Sequence, residues 1–200
     1  MFYGRMKLNI FLHYILQFLT RSIEEEKRII RTFILQRGIS KNIRILDFGC
    51  GEGIFSATFG DANKIKYIGI DRDFNSIKFA RELNRSAIFF VNDENICFKI
   101  KNFDFILLNN VLHHMTHNEI EILLSEIKRV LKENGVLIVT ELAPRDQQKG
   151  IFFKIITFFE KKINRINYCC DDFFAGFLKR GFNKIHYSKS GNFVKYIFTI

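Results

Sequence analysis

The sequence predicts an α/β domain, a mostly parallel sheet with helices on both faces that closes with an antiparallel hairpin. Three observations carry that expectation. Short apolar runs alternate with amphipathic segments of about ten to fifteen residues, the rhythm of strand–helix–strand crossovers. A glycine-dense turn, Gly49, Gly51 and Gly53, directly follows the first of those runs. Near the C-terminus the rhythm breaks, and two strand-like runs, Phe182–Lys189 and Phe193–Ile200, flank Ser190-Gly191-Asn192, a hairpin turn composition.

The elements follow in order. Ser22-Ile23-Glu24-Glu25 has capping-box spacing, and Ile23, Ile29, Ile30, Phe33 and Ile34 recur at helical intervals, so a helix is expected over about 22–37, stopped by Gly38. The period then changes to that of a strand at Ile43–Phe48, with a helix expected from about Ile54. Lys66–Asp71 reads as the second strand, Phe74–Arg85 as a helix and Ala87–Val91 as the third strand. Phe103–Asn109 makes the fourth, about Asn118–Lys132 a helix, and Gly135–Glu141 the fifth. The unbroken apolar runs Phe105–Leu108 and Val136–Val139 suit central strands covered on both faces. Gly150–Ile166 and Asp171–Arg180 read as helices before the hairpin.

Composition narrows the class. The 200 residues suffice for one domain, and a 48% hydrophobic content excludes a disordered chain. The four cysteines, Cys50, Cys97, Cys169 and Cys170, contain no CxxC pair, which argues against a zinc site or a disulfide scaffold and for a reducing, cytoplasmic setting. The apolar stretch Leu8–Leu19 includes Asn9, His13 and Gln17 and falls short of the roughly 20 residues a membrane span requires. The net charge of +10 is uneven: residues 1–47 hold nine basic against four acidic side chains, and residues 145–200 hold eleven against four. The middle of the chain is slightly acidic.

The chemistry-bearing segment is Asp47-Phe48-Gly49-Cys50-Gly51-Glu52-Gly53. Glycines here let the backbone turn tightly and approach a ligand, and a helix that follows would aim its free N–H groups at the same place. A dinucleotide fingerprint requires Gly or Ala at position 54, where Ile54 stands. The G-x-G-x-G spacing with an acid two residues upstream resembles motif I of the class I S-adenosylmethionine-dependent methyltransferases. Four further blocks agree in order: Asp71 closing the second strand, Asn92-Asp93 after the third, Phe103-Asp104 through Asn109-Asn110-Val111-Leu112-His113-His114-Met115 around the fourth, and Leu131–Leu137 entering the fifth. The resemblance implies a Rossmann-like seven-stranded sheet and S-adenosyl-L-methionine as cofactor. It implies that Gly49, Cys50, Gly51 and Gly53 pass beside the methionine moiety and that Asp47 helps hold its ammonium group. Asp71, with Arg72 next to it, is placed at the ribose, Asn92 and Asp93 at the adenine (a register in which Glu94 is one step away), and Asn109 beside the transferring methyl.

Methyl transfer from a sulfonium requires a positioned nucleophile and, where the acceptor is protonated, a base. His113 is the first candidate for that base and His114 the second, the two side chains after the fourth strand whose ordinary pKa suits neutral pH. His117 and His186 read as surface residues. No Pro-Pro-Tyr turn, Pro-Cys nucleophile or acidic cluster follows the fourth strand. That disfavours nucleobase amino-methylating, cytosine-carbon-methylating and metal-dependent catechol types, and no metal is expected.

One domain is expected over residues 1–200: a helical substrate-side segment at 1–41, a cofactor-binding core at 42–144, a basic amphipathic lid at 145–170, and a helix with hairpin at 171–200. In the lid, Ile151, Phe152, Ile155, Ile156, Phe159, Ile163 and Ile166 share one arc, while Lys154, Glu160, Lys161 and Arg165 lie opposite; Phe153 and Lys162 depart from the pattern. Such a helix can cover the domain or rest on an anionic membrane surface. The expected function is methyl transfer to a small, lipid-like or anionic acceptor, with peripheral membrane contact through that helix. The alternatives are an RNA methyltransferase, whose phosphate contacts the basic residues would supply, and a non-catalytic cofactor-binding partner protein. Oligomeric state is left open.

Overall fold

Strands form where β-branched and aromatic residues run without interruption, and the longest such runs lie at the centre of the sheet. The computed structural model describes residues 24–25, 27–33, 35–36, 42–59, 65–92, 98–143, 181–190 and 193–200. Seven strands make one sheet: β1 Ile43–Phe48, β2 Ile65–Asp71, β3 Ile88–Val91, β4 Phe103–Asn109, β5 Leu131–Leu142, β6 Asn183–Ser190 and β7 Phe193–Thr199. Their order is β3-β2-β1-β4-β5-β7-β6. β1 to β5 are parallel neighbours, while β7 lies antiparallel between β5 and β6. The expected architecture, including the terminal antiparallel pair, is the one observed.

Helices cover both faces. Residues 24–25, 27–33 and 35–36 are helical (α1), α2 spans Phe74–Leu83 and α3 spans His117–Val130. Asp73 caps α2, its carboxylate accepting from the backbone N–H groups of Asn75 and Ser76. Thr116 and Glu119 form a reciprocal capping box on α3. α3 buries Ile120, Leu123, Leu124, Ile127 and Val130, a helical stripe that packs on Leu108, Leu137, Val139 and Phe198. On the opposite face Ile30 of α1 and Ile77 and Ala80 of α2 pack against Ile45, Phe105, Leu107, Ile138 and Ile197. Each fully buried aliphatic or aromatic side chain contributes about 1.5–3 kcal/mol, so the two layers hold the sheet's carboxyl edge firmly in place.

Two elements differ from expectation in type or by more than two residues at a boundary. The segment after Gly53 is a 3₁₀ helix over Ile54–Phe59, not the start of an α-helix, with Ser56 N–H donating to the Gly53 carbonyl at 3.0 Å. Phe55, Ser56, Thr58 and Phe59 are poor helix formers, which leaves little to extend the first turn. β5 starts at Leu131 instead of Gly135, because Leu131 pairs with Phe103 before an irregularity that lets Val136 pair with Phe105. Asp104 fastens that irregularity, accepting from the Arg44 backbone at 2.9 Å and from Lys132 Nζ at 2.7 Å. Gly135 fits there because a Cβ would lie 2.5 Å from Leu131 Cδ1.

Candidate active site

Every strand of the parallel half ends at the same edge, and the polar residues collect there. Gly49 and Cys50 both donate to the Ile70 carbonyl, at 2.8 and 3.0 Å, which folds the loop after β1 back over β2. Asp71, the last residue of β2, accepts from Gly51 N–H at 2.8 Å through Oδ2 and from Asp73 N–H at 2.9 Å through Oδ1. One carboxylate thus ties the glycine loop to the α2 cap, and each oxygen keeps a lone pair for a further donor.

The glycines have distinct reasons. At Gly49 (φ 73°) a Cβ would stand 2.4 Å from Val111 Cγ2, so the loop needs glycine to pass the segment after β4. At Gly51 (φ 51°) a Cβ would meet nothing within 4 Å. The space over Gly51 is open, so packing does not require glycine there. These residues fit a nucleoside with vicinal hydroxyls at Asp71 and a chain running along the loop.

Asp47 is buried at the end of β1, where the Tyr67 hydroxyl donates to its Oδ2. Cys50 is half-buried, and burial, together with the negative charges of Asp47 and Asp71, pushes its thiol far above the usual range. It lines the loop as a neutral group and is no nucleophile. Arg72 is exposed, and its charge acts on both His114 and Glu119. Asn92 donates from its backbone to the Asp71 carbonyl at 2.9 Å. Asp93 and Glu94 lie outside the described residues, as do Leu8–Leu19, the capping residue Ser22, Ile23, Gly38, the helices expected over 150–166 and 171–180, and Gly191-Asn192.

Past β4 the chain turns sharply. Asn109 ends the strand half-buried, and Asn110 takes φ 55° and donates to the Thr140 carbonyl at 2.8 Å. A 3₁₀ turn at Leu112–His114 follows. What holds it is a residue the sequence reading assigned only to the end of a strand. Glu141, fully buried at the end of β5, accepts from Val111 N–H (2.8 Å) and Leu112 N–H (2.6 Å) through Oε1, and its Oε2 meets His113 Nδ1 at 2.7 Å. The only signal in the sequence was an acid closing the apolar run Val136–Val139. With Glu141 as carboxylate, Nδ1 is the donor, which fixes the tautomer of a buried His113. His114 differs: its ring packs against His113 with centroids 4.0 Å apart yet stays exposed. Desolvation, reinforced by the neighbouring His113 ring and by Arg72 and opposed by Glu141, lowers its pKa below the usual 6.5. The shift favours the neutral ring of His114. A depressed histidine stabilises the fold above pH 6.5 and withdraws that contribution as pH falls through its folded value. An NMR titration is expected to show the His114 ring protonating below pH 6.5; a midpoint at or above that would contradict the site's electrostatics. His117 and His186 are exposed, as read from the sequence. Among the described residues no group of three or more metal-binding side chains occurs, and no helix is long and apolar enough to cross a membrane.

The fold and this edge define a cofactor-binding α/β domain of the methyltransferase type. Residues 46–139 match the family model described as a methyltransferase domain. The chain is 30% identical over 167 residues to an uncharacterised protein of Methanocaldococcus jannaschii, covering 80% of this chain and 63% of that one. It is 32% identical over 109 residues to a fatty-acid O-methyltransferase of Mycolicibacterium smegmatis, covering 51% and 38%. The crystal structure of a TehB-like S-adenosylmethionine-dependent methyltransferase from Corynebacterium glutamicum superimposes with a TM-score of 0.62 at 18% identity, over 90% of this chain and 98% of that one. The chain thus spans less than two thirds of the length of these two curated relatives. The family match over residues 46–139 and the fold support a class I S-adenosylmethionine-dependent methyltransferase, with S-adenosylmethionine as the implied cofactor.

Proposed function

We propose that this protein transfers the methyl group of S-adenosylmethionine to a small acceptor that is lipid-like or carries an anionic group. The observation that carries the reading is the open space over Gly51, whose N–H the Asp71 carboxylate holds, on a loop that passes at Gly49 against the post-β4 turn locked by Glu141. When bound, the cofactor supplies an electrophilic methyl on a sulfonium. The chain's own residues then have three tasks. Asp71 accepts the ribose hydroxyls, the Gly49–Gly53 loop follows the methionine moiety, and Asn92 with Asp93 borders the adenine. His113, held through Nδ1, positions the turn, and His114 offers an exposed, neutral imidazole to an acceptor that must lose a proton. The fatty-acid O-methyltransferase among the relatives supports an apolar acceptor with an acidic end.

The test is thermal melting of the purified chain with S-adenosylmethionine, S-adenosylhomocysteine and NAD, followed by a labelled-methyl screen of fatty acids and other small acids. Ligand at 100 times its dissociation constant is expected to add about 2.7 kcal/mol of stability. Shifts with the two sulfur compounds and none with NAD support the cofactor site. Their absence in ligand-free, folded protein would overturn the proposal. Methyl incorporation into RNA, with binding that weakens steeply with salt, would replace the small acceptor by a polyanion.

A further inference from the structure

β7 carries a charge where its neighbours are apolar. Strand alternation puts Lys195 on the same face as Ile197, the face packed under α1, yet Lys195 is only 4% exposed. Its ammonium donates to Glu25 Oε2 of α1 at 3.2 Å, and the Glu25 side chain remains 30% exposed. Burial of the two charges is one-sided. The ammonium is fixed in the sheet, whereas the carboxylate comes from the outer layer and reaches inward.

Position gives the pair a meaning. Lys195 pairs across the sheet with Thr140, and Thr140 with Asn109. The three residues form one row across β7, β5 and β4, with side chains on one face, at the edge where the glycine loop lies. Strand spacing makes the row about 10 Å long. Thr140 is 3% exposed and Asn109 half-buried, so a row of polar side chains runs inward from the end of β4, beside the glycine loop, to an ammonium at its far end. Below the row lie Leu107, Ile138 and Ile197, fully or almost fully buried. A buried ammonium is costly unless an anion accompanies it.

We propose that Lys195 is the recognition point for a carboxylate on the acceptor, and that Glu25 is an internal carboxylate that occupies this point until the acceptor displaces it. The inference rests on the proposed methyltransferase reading and names the substrate class of that same site. An acceptor of this kind is an apolar acid whose carboxylate is the anchor at Lys195 and whose methyl-accepting group lies at its opposite end, toward Asn109.

The test uses the full chain with saturating S-adenosylhomocysteine and two probes of equal length, octanoate and 1-octanol, with binding measured by calorimetry. Wild type is expected to hold octanoate more tightly. Lys195→Met is expected to reduce octanoate affinity at least about tenfold while leaving octanol unchanged. Glu25→Gln, which removes the competing charge, is expected to raise octanoate affinity. Should Lys195→Met fail to fold, Glu25→Gln decides alone. Unchanged octanoate affinity in Glu25→Gln, a preference that survives Lys195→Met, or equal binding of both probes by wild type would each overturn the inference. A melting shift with S-adenosylhomocysteine alongside any of those results leaves the cofactor reading intact; loss of the shift removes both.

Discussion

Glu141→Ala is expected to be the most damaging single substitution at the site. It leaves two backbone N–H groups and the Nδ1 of a buried histidine without their acceptor. Breaking a buried pair by removing one partner costs about 3–5 kcal/mol. In a domain of this size that lowers the melting temperature by about 10 °C. Glu141→Gln separates charge from shape. Its amide oxygen can still accept from Val111 and Leu112, which turns the NH₂ group toward His113 Nδ1. Nδ1 must then accept, so the imidazole proton moves to Nε2. The expected result is a folded protein that loses about 1–2 kcal/mol and whose His113 nitrogen NMR shifts report the opposite tautomer. If methyl transfer falls in Glu141→Gln while cofactor binding persists, the turn's geometry matters to the acceptor step. An unchanged tautomer would mean that the Glu141–His113 contact does not set the ring.

Asp71→Ala is expected to abolish the melting shift produced by S-adenosylhomocysteine. Two hydrogen bonds from hydroxyls to a carboxylate are together worth about 3 kcal/mol, or roughly a hundredfold in affinity. At a ligand concentration that stabilises wild type by about 2.7 kcal/mol, the variant would gain only about 0.4 kcal/mol. The substitution also frees Gly51 N–H and Asp73 N–H, so the ligand-free protein should melt slightly earlier. Comparing the shift with ligand, not the absolute melting temperature, isolates binding from that loss. A shift equal to wild type would remove Asp71 from the cofactor site.

What was legible in the sequence, and what was not, divides by the range of the interactions involved. β4 was read to the residue because Phe103–Asn109 is bounded by turn residues and buried along its apolar length. The glycine loop was legible because its φ values, 73°, 51° and 70° at Gly49, Gly51 and Gly53, are ones that glycine alone adopts freely. The start of β5 was misplaced because the pairing of Leu131 with Phe103 is fixed by a neighbour 28 residues away. Glu141 was missed for the same reason: its partners belong to another strand's loop, and only the β4–β5 register brings them within 3 Å. Tyr67 meets Asp47, and Lys195 meets Glu25, through contacts that no local pattern announces.

The position of β7 bears on how this sheet is completed. It is the last strand in the sequence, yet it occupies an interior slot between β5 and β6. Until it arrives, β5 presents an open flank of unpaired N–H and C=O groups along Val136–Val139, four residues apolar enough to attract any stray extended segment. The parallel half can therefore assemble as the ribosome delivers it, but the domain stays sticky until the hairpin is threaded in. A chaperone, or a premature stop near residue 190, would meet this protein with its central seam unzipped.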